Sequence, residues 1–181
     1  MIPRPEMNIT NLSEDMVLIK EADIKARVKQ LAQEIVEDHR SSGNEHPPVM
    51  VCVLNGASIF FADLIREMDL DVQVDFVRAK SYVGKDNSGG VIFTKDMEMH
   101  IRGQRAYIVD DILDTGNTML EVVLRVNEML PEEVRVVALL QRKNGPQRAD
   151  FYGFEIGDDW VYGYGMDNNS LNRNLKDIHI V

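Results

Sequence analysis

The sequence predicts an α/β protein: an open, mainly parallel sheet with helices on both faces, a long flexible lid loop, and a small additional region formed by the terminal segments. Two strand, helix, strand units carry this expectation, together with apolar runs that are too short for helices and are bounded by turn formers. The 181 residues suffice for one domain, residues 1–181, with a core of its own.

The elements follow in order. Ile24, Val28, Leu31, Ile35 and Val36 recur at spacings of three and four, so Glu21 to Arg40 is predicted as an amphipathic helix ending at Ser41-Ser42-Gly43. Val49 to Leu54 is an unbroken apolar run closed by Asn55-Gly56, the pattern of a strand covered on both faces. Ile59 to Met68 reads as a helix, and Val72, Val74 and Phe76 alternate with polar residues as a strand. From Tyr82 to Gln104 the pattern dissolves, and so long a connection in a compact domain is expected to be a lid or a binding loop. Ala106 to Val109 is another buried strand. Met119, Val122, Val123, Val126, Met129 and Leu130 then mark a helix closed by Pro131, with a strand at Val134 to Leu140. Phe151 to Val181 holds two short strands around Gly157-Asp158-Asp159 and then a polar tail.

Composition narrows the function. Apolar residues make up 44% of the chain and charged residues 28%, as in an ordinary globular protein. Twenty Lys and Arg against 30 Asp and Glu give a net charge of −10, so unspecific attraction to nucleic acid or to an anionic membrane is not expected. An anionic ligand must then be held by local geometry or by a metal ion. No apolar run approaches the ~20 residues of a membrane span, and residues 1–20 lack the apolar stretch of a secretory signal, so a cytoplasmic address is expected. Cys52, the single cysteine, lies inside an apolar strand and reads as a buried core thiol. The four histidines are scattered and show no metal-binding spacing.

The informative segment is Val109-Asp110-Asp111-Ile112-Leu113-Asp114-Thr115-Gly116-Asn117-Thr118, which joins a strand end to a helix start. Ligands of parallel α/β sheets sit at such carboxyl ends. Backbone N–H groups of the small-residue turn, with the Thr115 and Thr118 hydroxyls, can cradle a phosphate without any cationic side chain. Asp110 and Asp111 cannot bind phosphate themselves; they can accept hydrogen bonds from sugar hydroxyls or hold Mg²⁺ and its waters. Asp pairs after strands also cap turns, and Thr-Gly-Asn also occurs as plain loop chemistry. A sugar phosphate with a metal fits these residues together. Neither a GxxxxGK[ST] loop nor a GxGxxG after a strand is present. A receiver-type signalling domain would carry its acidic pair after the first strand, not a late one.

These ten residues resemble the phosphoribosyl diphosphate (PRPP) motif of type I phosphoribosyltransferases, in particular the hypoxanthine-guanine phosphoribosyltransferases. The likeness extends to Val51-Cys52-Val53-Leu54-Asn55-Gly56, to Val74-Asp75-Phe76 through Ser81-Tyr82, to Phe151 to Ile156, and to Trp160 to Asp167. It implies transfer of the phosphoribosyl group from PRPP to hypoxanthine or guanine with Mg²⁺. Asp110 and Asp111 would then meet the ribose hydroxyls and metal waters, Asp114 would act as acid and base at the purine N7, and Thr115, Gly116, Asn117 and Thr118 would hold the 5′-phosphate. Asn55, Gly56 and Arg173 would lie on the pyrophosphate side. Trp160 would stack on the base, Val161 would offer backbone groups to it, Asp167 would ligate a second Mg²⁺, and Ser81 and Tyr82 would sit on the lid. A homodimer or homotetramer is implied as well. Without the family, Trp160 reads as a core residue, Arg173 as a solvated tail residue and Asp167 as an Asx turn.

Two positions depart from the family pattern. Asn55 stands where a Lys is common, so a cis peptide at Leu54-Asn55 is not assumed, and Arg142 stands where a Lys reads the purine 6-oxo group. Other readings are a phosphoribosyltransferase for xanthine or another base, and a PRPP- or nucleotide-sensing regulator of the same fold that binds nucleic acid.

Overall fold

A fully apolar strand must be covered on both faces, and β2 (Val49–Val53) is buried at every residue. The computed structural model describes residues 16–82 and 90–181. Around β2 it places β1 (Met16–Ile19), α1 (Glu21–Ser42), α2 (Ser58–Arg66), β3 (Gln73–Tyr82), β4 (Gly90–Lys95), β5 (Arg105–Leu113) and α3 (Asn117–Asn127), followed by β6 (Glu133–Arg142), β7 (Phe151–Ile156), β8 (Val161–Tyr162) and β9 (Ile178–Ile180). Six strands form one sheet in the order β4-β3-β2-β5-β6-β7, with every pair parallel except β3 with β4. The terminal strands build a separate antiparallel sheet, β1-β9-β8.

Alternation along the strands feeds two cores. Met50 and Cys52 of β2 and Tyr107 and Val109 of β5 face the side covered by α1 and α2. Val49, Val51, Ala106 and Ile108 face the side covered by Met119, Val122 and Val126 of α3. Helix α1 buries Ile24, Val28, Leu31, Ile35 and Val36, as their spacing requires, and stops where Gly43 takes φ 75°. Its first N–H, on Glu21, is capped by Asp177 Oδ1 at 2.7 Å, from the far end of the chain. Cys52 is buried, and burial pushes its thiol up to about 12, with Asp110 and Asp111 adding to the effect. Among the described residues, no helix is long and apolar enough to cross a membrane.

Two expectations are corrected. The stretch from Tyr82 to Gln104 is not one lid loop: β4 lies within it and pairs with β3, so Ser81 and Tyr82 belong to a strand, opposite Val91 and Gly90. Its later part belongs to the core, because Met97 and Ile101 are buried against α3. Of the stretch expected as a lid, residues 83–89 lie outside the described residues, as do residues 1–15. The second correction concerns the polar tail, which ends in β9 and not in coil. Its Ile178-His179-Ile180 alternation pairs with β1, a strand that the sequence reading leaves without any element. Smaller differences lie at helix ends: α2 spans Ser58–Arg66, and α3 stops at Asn127, three residues before Leu130 turns back with φ 58°.

Asp75 fastens the segment after β4. It is buried and accepts the N–H of Glu98 at 2.8 Å, of Met99 at 2.9 Å and of its neighbour Phe76 at 2.7 Å, with Lys95 Nζ at 3.8 Å. Removing the carboxylate strands donors that water cannot reach well. Asp75→Ala is expected to lose about 2–4 kcal/mol in urea unfolding. A loss below about 1 kcal/mol would show that apolar burial alone holds this segment.

Candidate active site

The carboxyl ends of β2, β5, β6 and β7 converge on two adjoining cavities. The first, of about 390 Å³, is lined by Leu54, Gly56, Asp110, Asp111, Asp114, Thr115, Gly116 and Thr118, among others. Asp110 and Asp111 are the last polar residues of β5, one step from its buried apolar part. Each points its carboxylate toward its neighbour's backbone: Asp110 Oδ1 accepts the Asp111 N–H at 3.0 Å and Asp111 Oδ1 accepts the Ile112 N–H at 2.9 Å. Burial, and then the charge of Asp111, pushes the Asp110 carboxyl well above the usual carboxylate range. Burial raises Asp111 too, with Arg173 pulling the other way.

Close backbone approach fixes this floor. A Cβ on Gly56 would overlap the Asp111 carboxylate, and a Cβ on Gly165 (φ 103°) would overlap the Gly56 carbonyl. Gly165 therefore requires glycine, and a side chain at Gly56 would have to displace the Asp111 carboxylate. Gly165 is clasped in turn by Arg173: its N–H donates to Arg173 O at 2.9 Å, and Arg173 Nη1 donates to its carbonyl at 2.6 Å. Arg173 Nη2 also bonds Asp167 Oδ1 at 2.5 Å, while Asp167 Oδ2 accepts the Ser170 N–H at 2.8 Å. The peptide between Leu54 and Asn55 is cis, which the sequence reading does not assume, and the exposed Asn55 accepts the Ser58 N–H through its carbonyl at 3.2 Å.

On the opposite wall, Gly116 takes φ 77° and opens α3, a helix with no side-chain cap and no acidic residue in its first turn. Its N-terminus thus keeps its positive end toward the cavity. Thr115 and Thr118 line that cavity, but Asn117, the exposed first residue of α3, does not.

The second cavity, of about 200 Å³, is lined by Asp111, Ile112, Asp114, Arg142, Trp160, Val161, Met166 and Asp167. Asp111, Ile112 and Asp114 belong to both cavities. Trp160 is 66% exposed and stands on the connection between β7 and β8, so it is not a core residue. Arg142 Nε donates to Asp114 Oδ1 at 3.0 Å, and its Nη1 bonds the carbonyls of Gly157 and of Asp159, the latter at 2.8 Å. This guanidinium is thus already bonded on two sides.

The structure thus gathers Asp110, Asp111, Asp114, Thr115, Gly116, Thr118, Gly56, Arg142, Trp160, Val161 and Asp167 around two joined cavities, with Arg173 behind Gly165. Asn55 and Asn117 lie beside them and line neither. Ser81 and Tyr82 end β3. Sequence reading missed Ile112 and Met166 as apolar walls of the second cavity and Gly165 as the packing partner of Gly56. Ile112 carried a signal, since it follows an acidic pair at a strand end. Gly165 carried none, because its constraint is a contact with a residue more than a hundred positions away.

Residues 19–169 match the phosphoribosyl transferase domain family. The chain is 41% identical over 169 residues to the hypoxanthine-guanine phosphoribosyltransferase of Aquifex aeolicus, covering 91% of this chain and 93% of that protein. It is 32% identical to the hypoxanthine-guanine-xanthine phosphoribosyltransferase of Tritrichomonas foetus, covering 97% of each. Among solved structures, a hypoxanthine-guanine phosphoribosyltransferase of Bacillus anthracis superposes with a TM-score of 0.83 at 32% identity, over 91% of this chain and 97% of that one. Fold, motif and relatives agree that the chain belongs to the phosphoribosyltransferase family, alongside its hypoxanthine-guanine members.

Proposed function

We propose that this phosphoribosyltransferase moves the 5-phosphoribosyl group of PRPP to N9 of hypoxanthine or guanine, giving IMP or GMP and pyrophosphate. The observation that carries the reading is the pair of joined cavities, one ending at a bare helix N-terminus and the other beside an exposed tryptophan, with Asp114 on their shared edge.

Each wall has a task in that reaction. The N–H groups of the Thr115–Thr118 turn and the two Thr side chains bind the 5′-phosphate. Asp110 and Asp111 accept the ribose hydroxyls, which anchors the sugar beneath the shared edge. Trp160 and Ile112 cover the two faces of the flat base. Asp114, which closes the gap between sugar and base, takes the purine proton as the bond from C1 to N9 forms and the bond to pyrophosphate breaks. The reacting C1 develops positive charge, and the carboxylates around it stabilise that charge in a site partly screened from water.

Magnesium fits the acids present. Two adjacent carboxylates that burial makes reluctant to ionise gain from a divalent cation. Among the described residues no three His, Cys, Asp or Glu side chains converge, so substrate oxygens and water would complete the shell, as Mg²⁺ commonly allows. Asp110 and Asp111 would hold one ion, and Asp167 a second through the electron pairs that Arg173 leaves unused. Bound there, Mg²⁺ would neutralise the departing pyrophosphate. The relative from Tritrichomonas foetus, whose name includes xanthine, makes xanthine the competing base.

A spectrophotometric panel of hypoxanthine, guanine, xanthine, adenine, uracil and orotate with PRPP and Mg²⁺ tests this reading. Hypoxanthine and guanine should turn over, and excess EDTA should stop them; no turnover of either base, or full rates in EDTA, would contradict it. Asp114→Asn keeps the size of the side chain but removes the proton acceptor. Its kcat is expected to fall about 100-fold or more, with the KM for PRPP changed by no more than about 3-fold. A near-normal single-turnover rate would remove Asp114 from the chemistry.

A further inference from the structure

Three parallel strands end side by side at the second cavity. Leu113 of β5 pairs with Gln141 of β6, and Arg142 of β6 with Ile156 of β7, so Asp114, Arg142 and Ile156 stand in one row, with Gly157 one step beyond Ile156. Arg142 stands in the middle of that row and bonds to both sides. Its Nε reaches the Asp114 carboxylate at 3.0 Å, while Nη1 holds the carbonyls of Gly157 and Asp159, which lead directly into Trp160. The Arg142 side chain is only 12% exposed, whereas that of Asp114 is 61% exposed. The well-held partner therefore determines where the loose one points.

We infer that Arg142 is a positioning residue, one guanidinium that sets the Asp114 carboxylate relative to the Gly157–Trp160 wall of the base cavity. This rests on the acid-base reading of Asp114 given above. Without a partner, an exposed carboxylate on a turn exchanges among staggered rotamers. The Nε–H and Nη1–H bonds of a guanidinium diverge at a fixed angle, so fastening one side fixes the direction of the other. An ammonium at this position would keep the charge and a donor for a 6-oxo group, but its three bonds rotate about a single point. The same β6–β7 connection supports the turn at two further places. A Cβ on Gly116 would overlap the Gln147 amide, and a Cβ on Gly145 would lie 3.2 Å from the Asp114 carbonyl. Backbone and carboxylate of the Asp114–Gly116 turn are thus braced from one side, leaving the opposite side to substrate.

The test is a double-mutant cycle on single-turnover rates with hypoxanthine, using wild type, Arg142→Lys, Asp114→Asn and the double variant. Arg142→Lys is expected to slow the single turnover about 10-fold while leaving the KM for hypoxanthine within about 3-fold. In the Asp114→Asn background the same change should alter the rate by less than about 2-fold, because the carboxylate it positions is already disabled. Three results would overturn the inference while leaving the function intact: a wild-type rate in Arg142→Lys, an equal loss in both backgrounds, or a raised KM at unchanged rate, which would make Arg142 a base contact alone. A wild-type rate in Asp114→Asn would instead remove the acid-base assignment on which the inference rests.

Discussion

The site depends on one close approach, the Asp111 carboxylate lying against the backbone of Gly56, where a side chain would displace it. That contact joins the end of β5 to the turn between β2 and α2. The Gly56 carbonyl, pressed in turn against Gly165, joins both to the segment that carries Asp167 and Arg173. Three parts of the chain, far apart in sequence, are thus held within a backbone's thickness of each other. The alternation of β5 supplies the direction: its inner residues are committed to the two cores, so its last polar residues must stand at the open end of the sheet.

Electrostatics then gives the cavity its two ends. A protein with net charge −10 has no general attraction for a phosphorylated ligand. What it offers is local: the N-terminus of α3, uncapped and without acidic residues in its first turn, faces the cavity across from two crowded carboxylates. The phosphate end of a sugar phosphate suits one wall and its hydroxyl end suits the other. In the proposed reaction this polarity would orient the substrate before any side chain acts on it, with Asp114 beside the carbon where the base is exchanged.

Much of this was legible in the sequence for a physical reason. The Val109–Thr118 segment must pass from buried strand to tight turn to helix, so its residue types are constrained at nearly every step. The covered strand at Val49 and the amphipathic face of α1 were legible for the same cause, a period imposed by burial. Strand β4 was not, since its exposed Ile92 and glycine-rich approach resemble a loop until β3 is placed beside it. Nor were β1 and β9, short strands whose partners lie at opposite ends of the chain. The Arg142 to Asp114 bond was hidden in the register of β5 and β6, which only the assembled sheet reveals. Trp160 showed the converse: apolar surroundings in sequence suggested burial, and the strand-free connection exposes it.

In the proposed reaction one ligand spans both cavities, with sugar and phosphate over Asp110, Asp111 and the α3 N-terminus and the base beside Trp160. A crystal structure of the protein with GMP measures this directly. Phosphate oxygens are expected on the backbone N–H groups of residues 115–118, ribose hydroxyls on the Asp110 and Asp111 carboxylates, and guanine against Trp160 with N7 facing Asp114. A nucleotide bound in the reverse sense, with its base over the acidic pair, or one held away from the ends of β5 and β6, would contradict it.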